Sequence, residues 1–129
     1  MKSNTKIALA VIVSFGLGAG GVSVLHAQAK LPAYIFVEID VKDQDGYTKD
    51  FLPKAQANIR EYGGKYLAGG FNKAISMSGS PPPARVVLLQ FPDIDALKTF
   101  NVKQRQLEAE LGDKYASFRG IGIEGVEQK

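Results

Sequence analysis

From Ala33 to Val41 the chain alternates in period two, with Ile35, Val37, Ile39 and Val41 on one side and Tyr34, Phe36, Glu38 and Asp40 on the other. This is the pattern of a strand whose aliphatic side is covered and whose opposite side meets something less uniform. The period then changes. Tyr47, Phe51, Ala55, Ile59 and Tyr62 recur at helical spacing behind a capping residue, Asp43. Pro53 interrupts that stripe, and a proline inside a helix costs about 3 kcal/mol. The pattern therefore predicts a break near Leu52-Pro53, with Pro53 opening the longer second piece, where its missing N–H matters least.

Gly63-Gly64 ends the helix and turns the chain into a second strand. One glycine supplies the left-handed conformation of a helix end, and a structural turn is favoured over anion binding because the negative end of the helix dipole lies there. Lys65 to Ala68 and Lys73 to Met77 read as strand halves with a bulge at Gly69-Gly70. Ser78 to Pro83 is a loop, its proline run a stiff spacer. Arg85 to Phe91 reads as a central strand, with Val86-Val87-Leu88-Leu89 buried on both sides. Asp93 caps a second helical region in which Ile94, Leu97 and Phe100 give way to Leu107, Leu111, Tyr115 and Phe118. The polar stretch Asn101 to Gln106 between them predicts two pieces with a joint, and Lys103-Gln104-Arg105 a solvated helix face. Gly120 to Glu127 closes the chain as a strand, with Ile121 and Ile123 on one face and Glu124 and Val126 on the other.

The order is β-α-β-β-α-β. Right-handed crossovers turn it into an α+β, ferredoxin-like fold: a four-stranded antiparallel sheet with both helices on one face. The uncovered face carries Tyr34, Phe36, Glu38 and Asp40 beside Val86, Leu88 and Gln90, too apolar a surface to be left to solvent. Two copies packed sheet to sheet would cover it and enclose a cavity.

The residues before this domain change the compartment. Lys2 and Lys6 precede an uncharged, mostly apolar run from Ile7 to Leu25, followed by Ala27-Gln28-Ala29. This is the form of an export signal cleaved after Ala29, which leaves residues 30–129 as one domain in the periplasm or outside the cell. A retained anchor is the competing reading, and four glycines in the run weaken it. With no cysteine, the exported domain has no disulfides and must rely on its core or on a second subunit. The net charge of +3 falls by two to +1 once Lys2 and Lys6 are removed, with both signs interspersed, so nucleic acid is not an expected partner. The single histidine, His26, leaves with the signal, which excludes His-based triads and thiol catalysis.

Glu38 is the candidate catalytic or anchoring group, since a carboxylate in the middle of a half-buried strand is costly unless paired or wet. Tyr34, Phe36, Gln90 and Glu124 complete the candidate ligand set for the inter-sheet cavity. The structural alternative is that Glu38 pairs across the subunits with Arg85 or Arg119. Glu38 and Glu124 have no supporting ligands for a metal, and no metal or cofactor is expected. Tyr47, Tyr62 and Tyr66 read as core or pocket wall.

Tyr34, Asp40, Tyr47, the run Tyr62-Gly63-Gly64-Lys65-Tyr66-Leu67, the run from Pro83 to Pro92 and the closing Ile123-Glu124-Gly125-Val126 together resemble the domain-of-unknown-function family 1330 (DUF1330). The resemblance covers nearly all of residues 33 to 127 and departs from the usual pattern at Gln90 and over Phe100 to Arg105. It implies the fold of the dimeric α/β-barrel group and a homodimer, and it carries no established reaction. Three functions are expected in competition: small-molecule binding between the sheets, a cofactor-independent enzyme similar to the monooxygenases and isomerases of that group, and a non-catalytic structural or accessory dimer.

Overall fold

A computed structural model describes residues 30–128, so the expected export signal and its cleavage point lie outside the described residues. Four strands, β1 (Ala33–Val41), β2 (Lys65–Phe71), β3 (Arg85–Phe91) and β4 (Ala116–Glu124), form one antiparallel sheet in the order β2-β3-β1-β4. Between β1 and β2 run a short helical turn α1 (Gln44–Gly46), a π-helical turn (Tyr47–Phe51) and α2 (Leu52–Glu61). The helix α3 (Ile94–Glu110) and a 3-10 turn (Gly112–Lys114) join β3 to β4. All the helices lie on one side of the sheet. This is the ferredoxin-like α+β arrangement that the alternating pattern predicts.

Local chemistry accounts for the helix ends. Asp43 Oδ1 accepts from the Gly46 N–H at 3.1 Å, and Asp93 Oδ1 accepts from the Ala96 N–H at 2.8 Å. Pro53 stands in the first turn of α2, behind a π turn in which the Leu52 N–H reaches back to the Tyr47 carbonyl. At the far end the Gly63 N–H donates to the Arg60 carbonyl (3.1 Å) and the Gly64 N–H to the Ile59 carbonyl (2.8 Å). With Gly63 at φ 78°, this is the paired-bond helix stop that glycine permits at least cost. A Cβ on Gly64 would lie 2.6 Å from the Phe91 ring, so the second glycine lets the turn pack against β3.

Three expectations are corrected. Strand β2 runs continuously through Gly69-Gly70 to Phe71, its register shift falls between Tyr66 and Ala68, and Lys73 to Met77 is loop. Gly69 (φ 95°) crosses so close to β3 that a Cβ there would collide with the Val86 carbonyl oxygen. Helix α3 is unbroken through Asn101 to Gln106, with no joint. The last strand begins at Ala116 and ends at Glu124, so Phe118 belongs to the sheet and not to the second helix.

The core lies between sheet and helices in two clusters. One gathers Ala33, Ile35, Ile59, Val87, Leu89, Phe91, Leu97 and Phe100. The other gathers Ile39, Tyr47, Phe51, Ala55 and Ala116, with the Phe51 ring tilted between Tyr47 (5.3 Å) and Phe118 (5.2 Å).

Candidate functional site

The covered face of β3 is read off its register with β1: Val87, Leu89 and Phe91 lie opposite Val37, Ile35 and Ala33. Period two places Arg85, opposite Ile39, in the same row. A guanidinium thus enters a layer that is otherwise aliphatic and aromatic. Its Nε is buried without a hydrogen-bond partner, and its Cζ stands 5.5 Å from the centroid of the Tyr47 ring. An orphaned buried donor is costly, and each one in a native structure calls for an explanation.

What Arg85 faces is a cavity of about 140 Å³ between the sheet and the helices. The two core clusters form its walls from either side: Ile59, Leu89 and Phe100 from one, Ile39, Tyr47 and Phe51 from the other. One ordered water needs only ~10–15 Å³, so the space is roughly ten times that minimum. Along α3 the row facing the sheet passes from Phe100 to Gln104 to Glu108, one residue per turn, and all three line the cavity. The apolar stripe lapses between Phe100 and Leu107 because the inner face there is cavity wall. Gln104 is therefore no part of a solvated face, and its Oε1 accepts from Asn58 Nδ2 of α2 at 2.9 Å.

The electrostatics follow from that enclosure. Burial pushes the Tyr47 phenol above its usual range, the neighbouring Arg85 pulls it partly back, and Tyr66 and Glu108 add to the rise. Tyr66, opposite Leu89 on the edge strand, is raised in the same way, with Arg85 and a hydrogen bond to Gln56 opposing burial. The Glu108 carboxyl is also held above the ordinary carboxylate range, because desolvation outweighs the attraction of Arg105, 3.9 Å away, and Asp113 adds repulsion. Two cations, Arg85 and Arg105, two phenols and a reluctant carboxylate thus line one space with aliphatic and aromatic side chains.

The residues singled out from the sequence lie elsewhere. Tyr34, Phe36 and Glu38 do share the open face with Gln90, which stands opposite Tyr34, while Phe36 pairs with Leu88 and Ile121. Glu124 does not join them: it lies opposite Ala33, whose side chain is on the covered side, and Ile123 takes the place beside Tyr34. Period two decides this, since one residue of register exchanges the faces. Glu38 is opposite Arg119 and makes a 3.5 Å ion pair with it inside the same chain. Arg85 is on the other face of the sheet and cannot be that partner. A shallow space lies beside Glu38, Asp40 and Arg119 under the Pro81-Pro82-Pro83 run. Among the described residues no group of three or more His, Cys, Asp or Glu is placed to hold a metal ion.

The signal for the cavity was present in two breaks of pattern. Arg85 has the parity of Val87, Leu89 and Phe91, and the apolar stripe of α3 lapses between Phe100 and Leu107. Each break alone reads as a strand end or a joint, and only the packing of α3 over β3 brings the two together.

With this geometry the family is decided. The model for the domain of unknown function DUF1330 matches residues 32–110, more than half of the chain, and the chain belongs to that family. The fold is similar to that of the RPA0582 protein of unknown function from Rhodopseudomonas palustris, at 11% identity and a TM-score of 0.57 over 84% of this chain and 94% of that one. A second structure, of methylated RPA0582, gives 13% identity and a TM-score of 0.55 over 84% and 91% of the two chains. No curated protein matches the chain.

Proposed function

We propose that this protein is a small-molecule-binding homodimer whose ligand is a compact, partly apolar anion seated against Arg85 between the sheet and its helices. The observation that carries this reading is the guanidinium-bearing Arg85 among the residues that line a cavity whose other walls include Ile35, Ile39, Phe51, Ile59 and Leu89. A guanidinium matches a carboxylate, and apolar walls with a few convergent polar groups are the usual make-up of a ligand site. Thermal unfolding in the presence of benzoate, 2-oxobutyrate, phenylpyruvate or inorganic phosphate tests it. At least one carboxylate should stabilise the protein, and Arg85→Gln should not respond. A wild type indifferent to every member of the panel, or a variant that responds equally, would leave a non-catalytic structural dimer as the better account.

The dimer rests on the open face, where Phe36, Ile121 and Ile123 are 38%, 41% and 57% exposed on adjoining strands. A second copy packed face to face would bury this patch and complete a dimeric barrel. Light scattering after chromatography should give twice the monomer mass. A second ligand site between the two sheets, formed by Tyr34, Phe36, Glu38 and Gln90, is favoured by the shallow space already present beside Glu38. It predicts a stabilising ligand whose effect is lost in Glu38→Gln and kept in Arg85→Gln. Export completes the reading, supported by Lys2, Lys6 and the Ile7 to Leu25 run, and the N-terminal sequence of the protein from its native host should start at Lys30.

A further inference from the structure

We propose that the cavity is a site of enolisation, in which Glu108 takes a proton from the carbon next to the carbonyl of a short 2-oxo acid while Arg85 holds the oxyanion that forms. This rests on the binding reading above and adds a reaction to it.

Arg85 and Glu108 line one space, the first from β3 and the second from α3, and both act electrostatically on the Tyr47 phenol that lines it with them. The Glu108 side chain is only 13% exposed, and its one ion-pair partner is the 71% exposed Arg105, at the long distance of 3.9 Å. A carboxylate so placed is weakly neutralised and poorly hydrated, the condition in which it is a better base than a solvated one. A guanidinium facing the same cavity supplies the complementary electrostatic part, a fixed positive charge where negative charge develops. Separated acid–base and oxyanion-holding groups are what a proton abstraction needs, and it needs no cofactor.

The substrate class follows from the fork of Arg85. In a 2-oxo acid one carboxylate oxygen and the adjacent carbonyl oxygen lie side by side, a pair that a guanidinium edge can bridge in bidentate fashion. The Glu108 carboxylate accepts a proton from C3. The C3–H electron pair becomes the C2–C3 double bond, and the carbonyl π pair moves onto oxygen opposite Arg85. Return of the proton to C3 restores the ketone, and its delivery to oxygen leaves the enol. Nothing is oxidised or reduced. The phenols of Tyr47 and Tyr66, kept protonated by burial, can donate to the same oxygen. Walls of Ile39, Phe51, Ile59 and Leu89 suit a short apolar tail.

The test is solvent exchange followed by proton NMR. 2-Oxobutyrate and phenylpyruvate are incubated in D₂O with the full-length protein, and loss of the C3 proton signal is timed against buffer alone; calorimetric titration with the same two acids measures binding. The wild type should accelerate exchange at least about tenfold, Glu108→Gln should bring the rate back to that of buffer while still binding, and Glu108→Asp should restore part of the acceleration. Binding without accelerated exchange overturns the inference and leaves the binding reading intact. Exchange unchanged in a folded Glu108→Gln overturns the role of Glu108. Absence of binding by either acid overturns the substrate class, and the carboxylate panel then decides whether the binding reading falls with it.

Discussion

The two faces of this sheet carry opposite anomalies. The covered face has polar groups where an apolar layer is expected: Arg85 from β3, Tyr66 from β2, and Gln104 and Glu108 from the helix above. The open face has Phe36, Ile121 and Ile123 where solvent is expected. Both arrangements are unfavourable for an isolated, empty monomer, and for different reasons. Polar groups drawn toward the interior lose hydration, whereas apolar groups left outside keep water ordered around them. The first calls for a polar ligand and the second for an apolar surface. On the proposed reading the covered side holds the ligand and the open side the second copy.

The largest expected effect tests how much the covered face depends on its apolar layer. Phe51, 1% exposed and packed between Tyr47 and Phe118, should cost about 3–5 kcal/mol when changed to Ala, read as a lower urea midpoint. A change below ~1 kcal/mol would mean that the cavity already absorbs such losses. Next is the open face: Ile121→Asp should weaken association by about 2 kcal/mol or more and shift the mass from dimer to monomer, with little loss of monomer stability. If the mass is unchanged, the exposed patch is not the subunit interface.

Arg85→Met separates a structural cation from a functional one. Replacing a partly buried charge with an apolar side chain of similar length is often neutral or stabilising, here by up to ~1–4 kcal/mol without ligand, and the response to carboxylates should vanish. A loss of several kcal/mol would identify Arg85 as a structural element of the fold. Glu108 tests the same face through pH. Its carboxyl is raised in the folded state, so the native protein binds more protons than the unfolded chain between the unfolded and folded pKa values. Stability attributable to this group is therefore present below the unfolded pKa, near 4.3, and falls as pH rises through the folded value. Glu108→Gln should accordingly melt higher than wild type at pH 7, with the two curves converging near pH 4. The smallest effect belongs to the open face: the Glu38–Arg119 pair, with side chains 35% and 67% exposed, should be worth no more than about 1 kcal/mol, and its loss in Arg119→Ala should be reduced further by salt.

Much of the fold was legible because it depends on local periods and local stops. The alternation in β1 and the helix stop at Gly63-Gly64 need only neighbours in sequence, and the caps at Asp43 and Asp93 reach three residues. The misreadings lie where a distant partner sets the outcome. Lys73 to Met77 has strand-like residues and no strand to pair with, and Asn101 to Gln106 looks like a joint until β3 is placed beneath it. Glu124 shows how small the margin is, since one residue of register separates it from the face that carries Glu38.

From residue order alone follow the class of fold, the open face of β1 and the absence of thiols, because alternation, chirality and composition act within one chain segment or over its whole inventory. The pairing of Arg85 with Glu108 across one cavity, the assignment of Glu38 to Arg119 and the exclusion of Glu124 come from packing and register. Residues 23 positions apart on β3 and α3 meet only after the crossover has folded back over the sheet, and no local period records that distance.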